Sequence, residues 1–252
     1  MTPYRLFIGW DAHQMEACAV AQASAARLST VTLDIRRLAL SELIARGLYT
    51  RPMRWPSVRE AGYWDVISAA PMATSHAIAR FLVPYLCDYQ GWALFTDGDV
   101  LFRHDVGDLF WLADPTQAVQ VVQHTYTPQE AAKMEGQIQT RYPRKNWSSV
   151  MLFNCAHPAN RSLDLDVVNR VPGRDLHRFC WLEDSLVGAL PARWNWLVGA
   201  SEPEPDPAIV HFTAGVPNMP GYEHVAYADE WYALAHACGY RLTRPARPEA
   251  VA

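Results

Sequence analysis

Two aspartates separated by one glycine, Asp97 and Asp99, follow an almost wholly apolar run at residues 91–95. In an extended backbone, residues two positions apart point to the same side, so both carboxylates can face one cation. Gly98 lacks a side chain and leaves room for a ligand close to the main chain. Carboxylate oxygens suit Mn²⁺ or Mg²⁺, which commonly share the phosphates of a substrate. The motif therefore predicts a divalent metal, Mn²⁺ or Mg²⁺, that holds a diphosphate.

The same short motif is also common in ordinary turns, so its structural context decides between the two interpretations. Upstream, residues 75–86 have apolar positions at helical spacing, with Ser75 as a candidate N-cap. Downstream, residues 105–112 predict another short helix. A helix, a strand that is apolar on both faces and carboxylates at its carboxyl end together build the ligand crevice of an α/β sheet. This context favours the metal site.

Two further residues are candidates for the same site. His211 ends the apolar run at 209–210 and precedes a turn-rich segment at 213–217. A strand end can present a neutral imidazole to a metal, so His211 is predicted as the third ligand, although a structural role is the common alternative. Arg80 lies in the predicted helix before the acidic strand. Its guanidinium could support a site carboxylate, contact the diphosphate, or be solvated.

The elements that must position these residues follow an α/β order. Residues 6–8 predict a strand, 15–28 an alanine-rich helix and 31–35 a second strand, which implies a parallel pair with a right-handed crossover. The other predicted elements are a short helix at 41–46, an irregular aromatic-rich segment at 49–74, strands at 118–124, 150–153 and 208–213, a polar stretch at 125–146, and helices at 176–190 and about 227–240.

Composition limits the class of protein. The chain has 252 residues, 50% of them hydrophobic, which is enough for one large α/β domain. A net charge of −4 argues mildly against a nucleic-acid partner. Five scattered cysteines predict a reducing compartment. The sequence shows no signal peptide and no apolar segment long enough to span a bilayer, so the chain is predicted to be cytoplasmic.

Taken in order, these motifs resemble the A-type-fold glycosyltransferases with an Asp-X-Asp motif, especially the glycogenin-like and lipopolysaccharide galactosyltransferase-like families. In those families an arginine-containing helix precedes the Asp-X-Asp strand, as at 79–84, and a late histidine and glycine element supplies the last metal ligand, as at 211–215. The resemblance extends from about residue 5 to about residue 222. It implies a single α/β domain with a Rossmann-like, mainly parallel central sheet flanked by helices.

The resemblance also implies a division of the chain and a set of binding residues. The glycosyltransferase domain would cover 1–243, with the nucleotide-sugar part at about 1–124, the acceptor part at about 125–243, and a flexible tail at 244–252. The first strand and loop would hold the nucleoside, and Asp97 could also approach the ribose. The predicted donor-binding residues are Phe7, Gly9, Trp10, Asp11, Arg80, Asp97, Lys145 and Ser149.

The chain departs from the family pattern at two places. A lysine that contacts the diphosphate usually follows the late histidine, but residues 216–219 contain no cation. Arg80, Arg144 or Lys145 would have to replace it. A glutamine often lies near the reacting carbon of the sugar, where this chain has Glu183 and Asp184. Whether the configuration of the sugar is retained or inverted therefore stays open.

The two acidic residues are the candidate catalytic groups. Either Asp184 or Glu183 could stabilise an oxocarbenium-like centre or deprotonate an acceptor hydroxyl. Adjacent residues on a helix cannot both face one atom, so Asp184 is chosen over Glu183. The alternative is that both belong to a solvated helix surface.

The leading prediction is a metal-dependent glycosyltransferase that moves a sugar from a nucleotide-diphosphate sugar, UDP-linked, to a saccharide or glycolipid hydroxyl. A second hypothesis replaces the acceptor with a modified DNA base, bound by the basic patch at 141–145. A third is a nucleotide-sugar-binding protein without catalysis. A fourth is a nucleotidyltransferase, because carboxylates and metal also serve phosphoryl transfer.

Overall fold

The structure is a computed structural model and describes residues 3–54, 63–125 and 144–246. Its strands are β1 (Tyr4–Trp10), β2 (Leu33–Ala39), β3 (Met53–Arg54), β4 (Tyr63–Asp65), β5 (Ala70–Met72), β6 (Trp92–Thr96), β7 (Val100–Phe102), β8 (Val119–Val121), β9 (Val150–Asn154), β10 (Val187–Ala189), β11 (Trp196–Leu197) and β12 (Ile209–His211). Its α-helices are α1 (Met15–Leu28), α2 (Leu40–Ala45), α3 (Val83–Leu86), α4 (Val106–Phe110), α5 (Leu165–Arg170), α6 (Gly173–His177) and α7 (Ala228–Ala237). In these three segments no helix is both long and apolar enough to cross a membrane.

A six-stranded central sheet has the spatial order β10, β8, β9, β6, β1, β2. β1 pairs in parallel with β2 and β6, and β10 pairs in parallel with β8. β9 is inserted antiparallel between β6 and β8. The predicted α/β class with a mainly parallel sheet is confirmed. The carboxyl ends of β1, β6 and β8 lie at one edge, where an α/β sheet places its ligands.

The opening β1-α1-β2 unit forms because small side chains allow close packing of the helix on the sheet. α1 covers residues 15–28 as predicted, and Ala17, Ala21 and Ala25 are buried on its inner face. β2 begins two residues later than predicted and continues to Ala39, paired with β1 along its whole length. The extension carries exposed arginines on an edge strand, so the apolar pattern did not indicate it.

A second, three-stranded sheet positions the late histidine. It has the order β11, β12, β7, and β12 is antiparallel to β7 with His211 opposite Val100. β7 follows the acidic motif directly, so this register places His211 beside the motif. The predicted boundary between the nucleotide-sugar part and the acceptor part lies at about residue 124. β7 belongs to the first part and β12 to the second, so the two predicted parts share this sheet.

The predicted helix at 75–86 is wrong in its first half. The structure has a one-turn 3-10 helix at Ala79–Leu82 and then α3. Pro84 lacks the N–H that a continuous α-helix would need at this point. Ser75 is not an N-cap, since its N–H donates to the Asp11 carboxylate (2.9 Å) and its hydroxyl to the Trp10 carbonyl (3.0 Å).

The predicted helix at 176–190 is also wrong. α6 ends at His177, Phe179 adopts a left-handed backbone with φ of 60°, and residues 187–189 form β10 at the sheet edge. Pairing with β8 therefore overrides the helical spacing of the apolar residues.

The segment at 49–74, predicted as irregular, contains a small antiparallel sheet. β3, β4 and β5 pair in that order. Arg51 forms a fully buried ion pair with Asp65, with Nε 2.9 Å from Oδ1, and donates to the Val168 carbonyl at 2.7 Å. The aromatic-rich sequence pattern did not indicate this buried ion pair.

Arg244, the first residue after the predicted domain, contacts the folded part of the chain. Its Nε donates to the Glu223 carbonyl (2.7 Å), and its guanidinium lies 5.3 Å from the centre of the Tyr232 ring on α7. The predicted tail begins at this residue, and its last part, residues 247–252, lies outside the described residues.

Asp105 caps α4 and also joins it to the end of α1. Its Oδ1 accepts the Gly107 N–H at 2.8 Å, and its Oδ2 accepts the Thr30 N–H at 2.9 Å. We expect Asp105→Ala to lower the free energy of unfolding by about 1–2 kcal/mol, the range for loss of an N-cap. Urea unfolding measures this change. Asp108→Ala, at an exposed acidic residue of the same helix, is the control. Equal losses in the two variants would contradict the prediction.

Candidate metal centre

Asp97, Asp99 and His211 meet at the carboxyl edge of the central sheet. Each offers a ligand atom, and these atoms all lie within 4.8 Å of one another. Asp97 directly follows β6, Asp99 directly precedes β7, and His211 ends β12. The three residues that the sequence predicted as metal ligands therefore share one location. That they bind a metal stays a prediction.

The contact between Asp99 and His211 fits a cation better than a hydrogen bond. Nε2 of His211 is 3.2 Å from Oδ1 of Asp99. Even so, within the described ranges this Oδ1 is buried and has no hydrogen-bond partner. A buried carboxylate oxygen without a partner is costly, and a cation between the two groups would compensate it. Two carboxylates and one imidazole are a donor set that suits Mn²⁺ or Mg²⁺.

Asp97 is held by two groups that contact the same oxygen. Its Oδ1 is 2.7 Å from Nη2 of Arg80 and 3.1 Å from Nε2 of His76. Burial alone raises the pKa of Asp97, but the Arg80 guanidinium and His76 outweigh it and hold that pKa well below its usual range. The carboxylate is therefore ionised and fixed in orientation at neutral pH.

Arg80 is buried, at 5% exposure, although the sequence placed it in an amphipathic helix. Besides contacting Asp97, it donates from Nη1 to the Ser148 carbonyl (2.9 Å) and lies 5.0 Å from the centre of the Phe95 ring. The sequence left three roles open for Arg80. The structure shows the first of them, a contact with a carboxylate of the site, that of Asp97.

His76 was not predicted from the sequence. Its ring packs on the end of β1, where a Cβ added to Gly9 would lie 2.3 Å from the ring. The spacing of four residues between His76 and Arg80 is a signal that could have indicated their common direction.

The backbone of β1 requires glycine at position 98, and the space for a ligand that the sequence suggested here stays a prediction. A Cβ at this position would lie 2.4 Å from the Gly9 carbonyl oxygen and 2.6 Å from Sγ of Cys18. The acidic motif therefore packs directly on the end of β1.

Gly98→Ala is expected to displace this loop and to destabilise the protein by about 1–3 kcal/mol, the usual cost of overpacking. Thermal unfolding and Mn²⁺ titration measure the two effects. Gly107→Ala is the matched control, because its added Cβ would lie 3.1 Å from its nearest neighbour, a side-chain oxygen. A Gly98→Ala protein as stable as the control, with wild-type affinity for Mn²⁺, would refute this packing argument.

The predicted nucleoside-binding residues at the end of β1 have different environments. The Phe7 side chain is only 2% exposed and packs in the hydrophobic core, and its assignment as a donor-binding residue stays a prediction. Trp10 stacks with Arg37, whose guanidinium lies 4.3 Å from the ring centre.

Asp11 fixes the loop that follows β1. Its carboxylate accepts the N–H groups of His13 (3.0 Å) and Ser75 (2.9 Å). Burial raises the pKa of Asp11, and the two backbone hydrogen bonds more than reverse that effect, so its pKa lies below the usual value. These contacts give Asp11 a structural role beside the predicted binding role.

Ser149 and Lys145, both predicted to contact the donor, are buried. The Ser149 hydroxyl donates to the Asn146 carbonyl at 2.6 Å and accepts from Nδ2 of Asn195 at 2.8 Å. Lys145 is 7% exposed. Ser149 is therefore connected through Asn195 to the candidate ligand His211, whose Nδ1 lies 2.9 Å from Oδ1 of Asn195.

The basic patch predicted for a DNA acceptor is described only in part. Arg144 forms an ion pair with Asp184 and donates to the Arg178 carbonyl (2.9 Å). Residues 141–143, including Arg141, lie outside the described residues. The contacts of Arg144 do not favour a nucleic-acid surface.

Glu183 and Asp184 are not on the α-helix that the sequence predicted. Asp184 begins a one-turn 3-10 helix, Asp184–Leu186, and Glu183 precedes it. The Asp184 side chain is 86% exposed, and its ion-pair partner is Arg144. The catalytic assignment of either residue stays a prediction.

Two more histidines missed by the sequence analysis line the same region. Burial, together with the nearby Arg80, lowers the pKa of His177 to about 3, and its Nδ1 lies 2.7 Å from the Ser148 hydroxyl. Burial, together with His211, lowers the pKa of His124 to about 4. Both imidazoles are therefore neutral at physiological pH and available for hydrogen bonding.

The fold is shared with solved glycosyltransferases. The chain superposes on the bifunctional glycosyltransferase WbbM with a TM-score of 0.60 and 14% identity, over 93% of this chain and 50% of that one. For glycosyltransferase GlyE of Streptococcus pneumoniae TIGR4 the TM-score is 0.58, with 12% identity, over 93% of this chain and 60% of that one. The chain thus spans about half to three fifths of these two proteins.

A third structure matches over nearly the whole length of both chains. Galactosyltransferase LgtC, solved with donor and acceptor sugar analogs, gives a TM-score of 0.58 at 15% identity, over 97% of this chain and 98% of that one. The chain therefore has the fold of the A-type glycosyltransferases, as the resemblance implied.

The chain belongs to the family of Protein CDI from Arabidopsis thaliana. The two are 40% identical over 234 residues, which cover 91% of this chain and 85% of that protein. No family model matches the chain.

Proposed function

We propose that this protein is a metal-dependent glycosyltransferase. It transfers a sugar from a nucleotide-diphosphate sugar, UDP-linked, to a hydroxyl group of a saccharide or glycolipid. The observation that carries the proposal is the convergence of Asp97, Asp99 and His211 at the carboxyl edge of the sheet of an A-type glycosyltransferase fold. The buried, unpartnered oxygen of Asp99 supports a cation at that point.

Asp97, Asp99 and His211 would hold the ion, Mn²⁺ or Mg²⁺. When bound, it would neutralise charge on the departing diphosphate. Arg80 and His76 keep Asp97 ionised and oriented, so the site is organised before the donor arrives. Gly9 lies next to the acidic motif at the end of β1, and Trp10 and Asp11, also proposed to bind the donor, follow it directly.

The remaining roles are assigned by the resemblance. Asp184 is the proposed catalytic carboxylate, with Glu183 as the alternative. Arg80, Arg144 and Lys145 are the candidate cations for the diphosphate. Two of them already contact carboxylates, since Arg80 pairs with Asp97 and Arg144 with Asp184.

The test is a screen of nucleotide-diphosphate sugars in the presence of Mn²⁺ and, in parallel, with the metal chelated. We expect one donor to raise the melting temperature and to release its nucleoside diphosphate, both only with metal. Release of pyrophosphate would instead show a nucleotidyltransferase. Tight binding without release, even with added saccharide acceptors, would show a binding protein. Binding or release that is unchanged by chelation would contradict the metal centre.

A further inference from the structure

Asn195 is a fully buried residue next to the candidate metal centre. It ends the one-turn 3-10 helix Ala192–Asn195 that leads into β11, and its exposure is 0%. Its Oδ1 lies 2.9 Å from Nδ1 of His211, and its Nδ2 lies 2.8 Å from the Ser149 hydroxyl. The side chain therefore connects a predicted metal ligand to the one-turn 3-10 helix Trp147–Ser149 before β9.

The hydrogen positions in this network follow from a backbone carbonyl. The Asn146 carbonyl can only accept, so the Ser149 hydroxyl, 2.6 Å away, must donate its single hydrogen to it. The Ser149 oxygen then accepts from Asn195, which places the amide nitrogen of Asn195 on that side. Oδ1 of Asn195 therefore faces His211, and Nδ1 of His211 must carry a hydrogen.

The tautomer of His211 follows directly. With the hydrogen on Nδ1, neutral His211 has a lone pair on Nε2, which lies 3.2 Å from Oδ1 of Asp99. Two electron-rich atoms then face each other, which agrees with the absence of a hydrogen bond to this Oδ1 in the part of the chain described. The opposite tautomer would carry its hydrogen on Nε2, donate it to Oδ1 of Asp99 and leave no lone pair on Nε2 for a cation.

We propose that Asn195 is a positioning residue that fixes His211 in the Nδ1–H tautomer. It thereby prevents a direct hydrogen bond from His211 to Asp99 and keeps Nε2 free for a divalent cation. This inference rests on the proposed function. Such outer partners of a metal-binding histidine orient the ring, and their loss typically costs about 10–100-fold in metal affinity.

The first experiment compares Mn²⁺ affinity, measured by the EPR signal of free Mn²⁺, in two variants. Asn195→Leu keeps the branched four-atom shape of the side chain but has no acceptor for Nδ1, and we expect binding about 10–100-fold weaker than in the wild type. Asn195→Asp keeps an acceptor at the same place, and we expect its affinity to remain within about threefold of the wild type, well short of that loss. Equal weakening in both variants would overturn the proposal.

The matched control is Asn160→Leu. Asn160 is also fully buried, with Nδ2 donating to the Ala118 and Asn154 carbonyls at 2.8 and 2.9 Å. Asn154 pairs with Trp92, at the other end of β6 from the acidic motif. We expect Asn160→Leu to destabilise the protein with unchanged Mn²⁺ affinity. A comparable loss of affinity in this control would show a general effect of buried amides and would overturn the proposal.

The second experiment reads the tautomer in the metal-free wild type, so it does not depend on the folding of any variant. Long-range ¹H–¹⁵N spectra of protein labelled at its nine histidines, recorded above the usual histidine pKa, distinguish the two ring nitrogens. The signal of His211 is identified by its loss in His211→Gln. We expect hydrogen on Nδ1, and hydrogen on Nε2 would overturn the proposal.

The outcomes separate the two proposals. If the wild type binds Mn²⁺ and Asn195→Leu binds it equally well, the positioning role is wrong and the proposed metal site stands. If the wild type does not bind Mn²⁺ alone or with a nucleotide sugar, the proposed metal site is wrong, and the role of Asn195 is overturned with it.

Discussion

Asp99→Asn is expected to weaken Mn²⁺-dependent binding of the nucleotide sugar by at least about 100-fold. The loss of a residue that only orients a metal ligand costs up to about 100-fold in metal affinity, and the loss of a ligand itself should cost at least as much. The substitution keeps the size of the side chain and removes its charge. It also replaces a buried oxygen that has no hydrogen-bond partner within the described segments. The stability of the metal-free protein should therefore be maintained or raised, since Asn can accept a hydrogen bond or donate one.

Calorimetry with Mn²⁺ and the donor identified by the screen measures this effect. Asp108→Asn is the matched control, because Asp108 is an exposed aspartate on α4 that contributes nothing to the three-ligand group. If Asp99→Asn binds Mn²⁺ and the donor as tightly as the wild type does, Asp99 is not a metal ligand. Equal weakening in Asp108→Asn would show that the loss reflects net charge alone.

The meeting of Asp97, Asp99 and His211 could be predicted because each of them lies at the end of a short apolar run. Asp97 and Asp99 flank the turn at the end of a strand that is apolar on both faces, and His211 ends another short apolar run. Strand ends of an α/β sheet converge at one edge, so the three residues could be placed together without coordinates. The register of β12 against β7, which completes the group, depends on long-range pairing.

The residues that organise the site could not be predicted in the same way. Asn195 is separated by 16 positions from His211 and by 46 positions from Ser149, and the sequence does not indicate that these residues meet. His76 and Gly98 acquire their roles from the close approach of the acidic motif to β1. Such contacts are a property of the packed chain.

The wrong helix prediction at 176–190 has a cause outside the segment itself. Residues 176–190 have the apolar content of a helix, but β8 offers a free edge, and residues 187–189 pair with it. The acidic pair at 183–184 consequently lies in a tight turn with an exposed side chain at Asp184. Helix periodicity in a short segment is a weaker determinant than pairing with a buried strand.

Arg80→Met is expected to lower the free energy of unfolding by about 3–5 kcal/mol, because it leaves the Asp97 carboxylate, only 15% exposed, without its closest cation. Methionine retains much of the packing on Phe95 and removes only the charge and the hydrogen bonds. Mn²⁺-dependent donor binding should weaken as well, since Asp97 loses one of the two groups that orient it. Arg170→Met is the control, because Arg170 forms an exposed pair with Asp166 and should change stability by less than about 1 kcal/mol.

The pH dependence of the stability lost in Arg80→Met identifies the cause of that loss. In the wild type the pKa of Asp97 is depressed by folding, so its stabilising contribution is present above the unfolded value of 3.8 and is lost as the pH falls through the folded pKa. Without Arg80, burial raises that pKa, and the ionised carboxylate then opposes folding. The stability deficit of Arg80→Met should therefore shrink as the pH is lowered from 7 toward 4. Adding Asp97→Asn to Arg80→Met should recover part of the stability at pH 7. A deficit that is independent of pH and of Asp97 would mean that Arg80 acts through packing alone.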